Sequence, residues 1–80
     1  MPPPKTRTLY IGGLPPSATL DALRAEFGRF GPIEDVRVLP RGDATIAYVT
    51  FARESAALEA RRALDGATLA GHRLRVEFAT

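Results

Sequence analysis

The sequence predicts an α+β fold of two layers, a four-stranded antiparallel sheet with two helices on one face, in the order β-α-β-β-α-β. Three observations lead there. Residues 44–51 read Ala-Thr-Ile-Ala-Tyr-Val-Thr-Phe, β-branched and aromatic residues that alternate between two faces as in a central strand. Two segments, 20–29 and 53–64, repeat apolar residues at helical spacing. Strand-like stretches flank both of them, so each helix is a crossover between strands. With 80 residues, 45% hydrophobic and 25% charged, the chain has the size and composition of one small domain whose single core is only just sufficient.

Residues 1–6, with prolines at 2, 3 and 4, read as a disordered, proline-rich lead-in, and residues 7–80 as the domain itself. Residues 7–11 alternate as the first strand, Leu9 and Ile11 inward, Thr8 and Tyr10 outward. Gly12 and Gly13 close it, and Pro15-Pro16 delays the helix. Thr19 is the expected N-cap, with Asp21 in the first turn where negative charge favours the helix dipole. Leu20, Leu23 and Phe27 form the inward stripe of the first helix; Gly28 and Gly31 bracket its end and Pro32 stops it. The second strand, 33–39, carries an irregularity near Glu34-Asp35, after which Val36 and Val38 face the core while Arg37 and Leu39 face out.

A short turn at 40–43, Pro-Arg-Gly-Asp, makes a hairpin with the third strand, 44–51. There Thr45, Ala47, Val49 and Phe51 point inward, and Ala44, Ile46, Tyr48 and Thr50 point the other way. In the second helix the stripe is Ala57, Ala60, Arg61 and Leu64. Arg61 stands where an aliphatic residue is expected; its stem should lie along the core edge and its head reach water, paired with Glu54 or Asp65. Asp65-Gly66 ends the helix, and 67–72 is a loop or a short extra hairpin. The last strand, 74–78, turns Leu74, Val76 and Phe78 inward and Arg75 and Glu77 outward.

Right-handed crossovers make strands one and three neighbours, giving the sheet order 4-1-3-2 of a ferredoxin-like sandwich. One sheet face then has no helix over it. Tyr10 and Tyr48 fall on that bare face, on adjacent central strands.

Composition narrows the function. There are no cysteines, so disulfides and Cys-based metal sites are excluded. No apolar run is long enough for a membrane span, and the first residues lack a signal peptide's apolar core, so the expected setting is soluble, intracellular and away from membranes. Net charge is +2 and Lys5 is the only lysine; every other cation is an arginine, whose planar fork suits phosphates and base edges. His72 stands alone, and Ser17 has no partner that would activate it. No cofactor, no metal and no catalytic residue is expected.

Against this background the chain resembles the RNA recognition motif, from about residue 7 to residue 79. Leu9-Tyr10-Ile11-Gly12-Gly13-Leu14 is similar to the shorter family signature, RNP2, and residues 44–51 to the longer one, RNP1. The helix spacings Leu23…Phe27…Gly31 and Ala57…Ala60…Leu64-Asp65-Gly66 are similar as well. The resemblance implies a non-catalytic domain binding single-stranded RNA, with Tyr10 and Tyr48 stacking on consecutive bases. It implies nuclear RNA processing, with single-stranded DNA as a second ligand and a monomer as the acting form. Within the family, Gly-Gly-Leu after the first strand and the ending Leu-Arg-Val-Glu-Phe-Ala are similar to split-ends-type members.

Departures from the longer signature are specific. Its basic first position is Ala44, its glycine is Thr45, and its third, aromatic position is Ile46, which packs against a sugar or base without stacking. Arginines are expected to make up for this: Arg37 and Arg75 on the tyrosine face, with Arg7 before strand one and Arg41 in the turn, would hold phosphates. Leu39 suits ribose contact. Glu77 accepts from a cytosine amino group or pairs with Arg75, and the pairing is the preferred expectation.

The same β-α-β-β-α-β order serves acylphosphatase-like enzymes and copper carriers, so fold alone does not decide function. The loop after strand one has no arginine, and the chain has no paired cysteines, which disfavours both. The remaining alternative is a family member that binds protein through its sheet or through the second helix, where Leu58, Arg61 and Arg62 are candidates, with weak or no RNA binding.

Overall fold

The computed structural model describes residues 6–42 and 44–79. Most of the proline-rich lead-in, and Asp43 of the central turn, lie outside them. The described chain forms β1 (Thr8–Leu14), α1 (Leu20–Gly28), β2 (Ile33–Arg41), β3 (Ala44–Phe51), α2 (Glu54–Leu64), β4 (Thr68–Leu69), β5 (His72–Arg73) and β6 (Arg75–Phe78). The main sheet is antiparallel in the order β2-β3-β1-β6, the expected 4-1-3-2 read from the other edge, with β6 as the fourth strand. The segment at 67–72 becomes the extra hairpin, β4 against β5, turning through Ala70 and Gly71, both at positive φ.

Local signals do what they predict. Thr19 Oγ1 accepts from the Ala22 N–H at 3.1 Å and caps α1. The register of β2 against β3 shifts between Ile33 and Asp35, where the irregularity was expected. Leu9, Ile11, Val49, Phe51 and Val76 from the sheet meet Leu23, Phe27, Ala57 and Ala60 from the helices, all fully buried. Ala56 joins the alanines of α2, and Gly31 packs so closely on it that an added Cβ would lie 2.8 Å from the Ala56 methyl.

Three expectations need correction. Gly12-Gly13 does not end β1; a bulge between Ile11 and Leu14 absorbs the glycines, and Leu14 resumes pairing opposite Thr45. Leu20 is not in the core but 45% exposed, because the turn before the helix packs Ala18 against the core and leaves Leu20 at the open first position. Arg61 pairs with neither Glu54 nor Asp65. Its guanidinium carbon lies 5.3 Å from the Phe78 ring centroid, while Asp65 Oδ1 is taken by the Val76 N–H at 3.0 Å. The Arg61 Nε is buried without a partner.

No described helix is long and apolar enough to cross a membrane. Gly13 is the backbone constraint that positions the site: its φ is +76°, and a Cβ there would press on the Arg73 carbonyl. Gly66, at φ +83°, has nothing within 4 Å of such a Cβ. Gly66→Ala should therefore cost only the left-handed backbone, about 1–2 kcal/mol. Gly13→Ala adds a backbone clash worth a further ~1–3 kcal/mol. Urea unfolding of the two variants checks this; equal losses would show that the close approach to Arg73 carries no weight.

Candidate nucleic-acid interface

The pairing of β1 with β3 sets Tyr10 directly opposite Tyr48, and the flanking strands extend this into a row: Arg37 of β2 lies opposite Tyr48, and Glu77 of β6 opposite Tyr10. A cation, two rings and a carboxylate thus cross the uncovered face in line. The rings meet edge to face, centroids 5.7 Å apart and planes at 65°. Tyr10 lies along its own strand, over Gly12; a Cβ at Gly12 would sit 3.1 Å from the Tyr10 hydroxyl oxygen. On one side of this row Thr8 and Thr50 share a hydrogen bond of 2.9 Å between hydroxyls. On the other, Leu39 lies opposite Ile46 and Arg75 opposite Gly12.

Three open cavities adjoin across this face. The first, about 340 Å³, is lined by Thr8, Asp35, Arg37, Tyr48 and Thr50. The second, about 460 Å³, shares Tyr48 and continues to Tyr10, Arg75, Glu77, Phe78 and Ala79. The third, about 470 Å³, shares Tyr10 and Arg75 and lies beyond them, over Gly12 and Gly13. The tyrosines are the walls between them.

The arginines divide into two groups. Arg7 Nη1 is bound to Glu34 Oε1 at 2.8 Å and also donates to the Phe51 carbonyl, and Arg37 Nε donates to Asp35 Oδ2 at 3.1 Å. Arg41 and Arg75 have no carboxylate partner among the described residues. Arg41 ends β2 opposite Ala44, so a guanidinium stands across from the place where the longer signature lacks its basic residue.

Two site residues differ from expectation. Glu77 does not pair with Arg75; Arg75 lines the two cavities beside Tyr10, and the Glu77 carboxylate keeps no cationic partner among the described residues. Ile46 is on the tyrosine face but only 8% exposed, so it offers little surface to a ligand, while Leu39 across from it is 42% exposed. Arg73 was missed by the sequence reading. It alternates with Arg75 around buried Leu74, a two-residue spacing that was visible, and it lines the third cavity. On the outer side of α2, Leu58 and Arg62 are exposed, but Arg61 is drawn onto Phe78 and is not free for a partner.

Among the described residues no group of three or more His, Asp or Glu is placed to hold a metal. The fold and the paired rings set the chain among small ferredoxin-like α+β domains with one sheet face open. A family model described as RNA recognition motif matches residues 9–75, and the chain belongs to that family. It is 43% identical over 72 residues to the "Probable splicing factor, arginine/serine-rich 6" of Caenorhabditis elegans, covering 90% of this chain and 40% of that protein. It is 32% identical over 76 residues to the protein split ends of Drosophila melanogaster, covering 95% of this chain and 1% of that one. The solved structure of an Sxl-lethal protein–RNA complex superposes with a TM-score of 0.83 at 27% identity, covering 99% of this chain and 53% of that one. The chain therefore spans less than half the length of these two relatives.

The contrast between Ile46 and Leu39 is directly testable. Ile46→Ala should destabilise the domain by about 2–5 kcal/mol, as a buried truncation does. Leu39→Ala should change stability by no more than ~0.5 kcal/mol. Thermal unfolding of both variants is the check; similar values would mean that Ile46 belongs to the open face in the same sense as Leu39.

Proposed function

We propose that this domain binds single-stranded RNA without catalysis, two consecutive bases stacking on Tyr10 and Tyr48 while arginines hold the phosphates. The observation that carries this reading is the row Arg37–Tyr48–Tyr10–Glu77 across a face with no helix over it among the described residues. Half-buried rings on an open sheet face still offer π-faces to unpaired bases, each stack being worth about 1–3 kcal/mol by alanine substitution. Arg41 and Arg75 are the phosphate ligands ready for use; Arg7 and Arg37 must first give up carboxylate partners. Leu39 supplies an apolar contact for a ribose, and Glu77 accepts from a base amino group. Single-stranded DNA presents the same base faces and phosphates and is a weaker second ligand. The Sxl-lethal complex contains RNA, which supports the ligand class, and the splicing-factor name of the nematode relative supports a nuclear role in RNA processing.

Short single-stranded RNA titrated by fluorescence anisotropy tests the platform. Tyr10→Ala and Tyr48→Ala should each raise Kd about 5- to 150-fold, with the unfolding midpoint nearly unchanged. A double variant that keeps wild-type affinity would end the reading. A salt-insensitive interaction localised to α2, at Leu58 and Arg62, would favour a protein partner instead.

Salt supplies a separate check. The logarithm of affinity should fall with that of salt, by roughly 0.7 per phosphate neutralised. Glu34→Gln releases Arg7 from its carboxylate, and should tighten binding and steepen that slope; an unchanged slope would remove Arg7 from the interface.

A further inference from the structure

We infer that the third cavity, beyond Tyr10, is a phosphate-binding subsite that receives a further nucleotide of the same RNA strand, with Arg73 as its principal ligand. This rests on the platform reading and extends it past the two signature strands.

The argument starts from continuity. Tyr10 and Arg75 line both the second cavity and the third, so a strand whose base stacks on Tyr10 has its next backbone unit at the third cavity's edge. The floor there is Gly12 and Gly13, without side chains, and Gly66 lines the far wall. Such a surface lets a nucleic-acid backbone approach closely. At about 470 Å³ the space is within the range of small-ligand sites.

Its charge selects an anion. Arg73 and Arg75 line it against a single carboxylate, Asp65, whose Oδ1 is already engaged by the Val76 N–H. Arg73 is exposed, and its Nε donates to the Gly66 carbonyl at 3.4 Å. That contact fixes the stem and leaves both terminal nitrogens for a phosphate, the bidentate geometry in which guanidinium exceeds ammonium. The architecture holds the residue in place from beneath as well, since the Arg73 carbonyl is packed on Gly13 and Leu74 is buried between the two arginines. Two cations spaced by one buried residue therefore face the same opening.

The experiment compares randomised oligoribonucleotides of two and five residues on the wild-type domain, Arg73→Gln and Arg73→Lys, by anisotropy and by NMR of the backbone amides. The five-residue RNA should shift Gly13, Gly66 and Arg73 as well as Tyr10, Gly12 and Tyr48; the two-residue RNA should shift only the tyrosines and their neighbours, Gly12 among them. Arg73→Gln should weaken the five-residue RNA about tenfold and lower its salt slope by roughly 0.7, leaving the two-residue RNA unaffected. Arg73→Lys should restore the slope and only part of the affinity. Equal effects of Arg73→Gln on both lengths, or silent Gly13 and Gly66 amides with the tyrosines shifting normally, would overturn the subsite and leave the platform standing. Silence at Tyr10 and Tyr48 with either length would overturn the platform itself.

Discussion

Leu9 faces Val49 and Ile11 faces Ala47 across β1 and β3, and all four are fully buried beneath the helices. Because strand side chains alternate, this pairing also sets Tyr10 against Tyr48 on the opposite side. A slip of β1 by one residue would turn Tyr10 into the core and Leu9 and Ile11 into water. Burial of a large aliphatic side chain is worth about 1.5–3 kcal/mol, so the penalty for slippage is a large share of what so small a domain has to spend. The interactions that hold the sheet to its helices are thus the ones that align Arg37, Tyr48, Tyr10 and Glu77.

Small side chains make that core work in 80 residues. Ala56, Ala57 and Ala60 make up the buried face of α2 together with Leu64 at its end, and Gly31 closes against Ala56. Alanine allows close approach of helix and sheet while losing no rotamer freedom on burial. Bulk comes instead from Phe27 and Phe51, one from α1 and one from β3.

Much of this was legible from local pattern. Alternation in residues 44–51 assigns every residue of β3 to its correct face, and Thr19 caps α1 because a threonine before an apolar period has one good local use. Even the shift at Ile33–Asp35 was visible, as a break in alternation. What escaped depends on partners far apart in the chain. Glycines usually end a strand, yet Gly12-Gly13 sit inside one because Leu14 finds Thr45 and the Arg73 carbonyl needs a neighbour without a Cβ. Arg61 could not be read from α2 alone, since Phe78 and the Val76 N–H decide where it and Asp65 go. Periodicity gave Ile46 the right face but not its near-complete burial, and it put Glu77 beside Arg75 without saying that they stay apart.

The turn between β2 and β3 is only two residues, Arg41 pairing with Ala44 across it, and Gly42 takes a left-handed φ of +61° to make it. So short a connection cannot reach back over Tyr48. Among the described residues, then, this turn supplies no flap that must open before a strand lands beside Tyr48. Arrival of the proposed RNA strand would then be limited by diffusion and charge, and differences in affinity between sequences would be expressed as dwell time. For the proposed RNA platform this means rapid sampling, with longer occupancy where linked modules engage neighbouring stretches together.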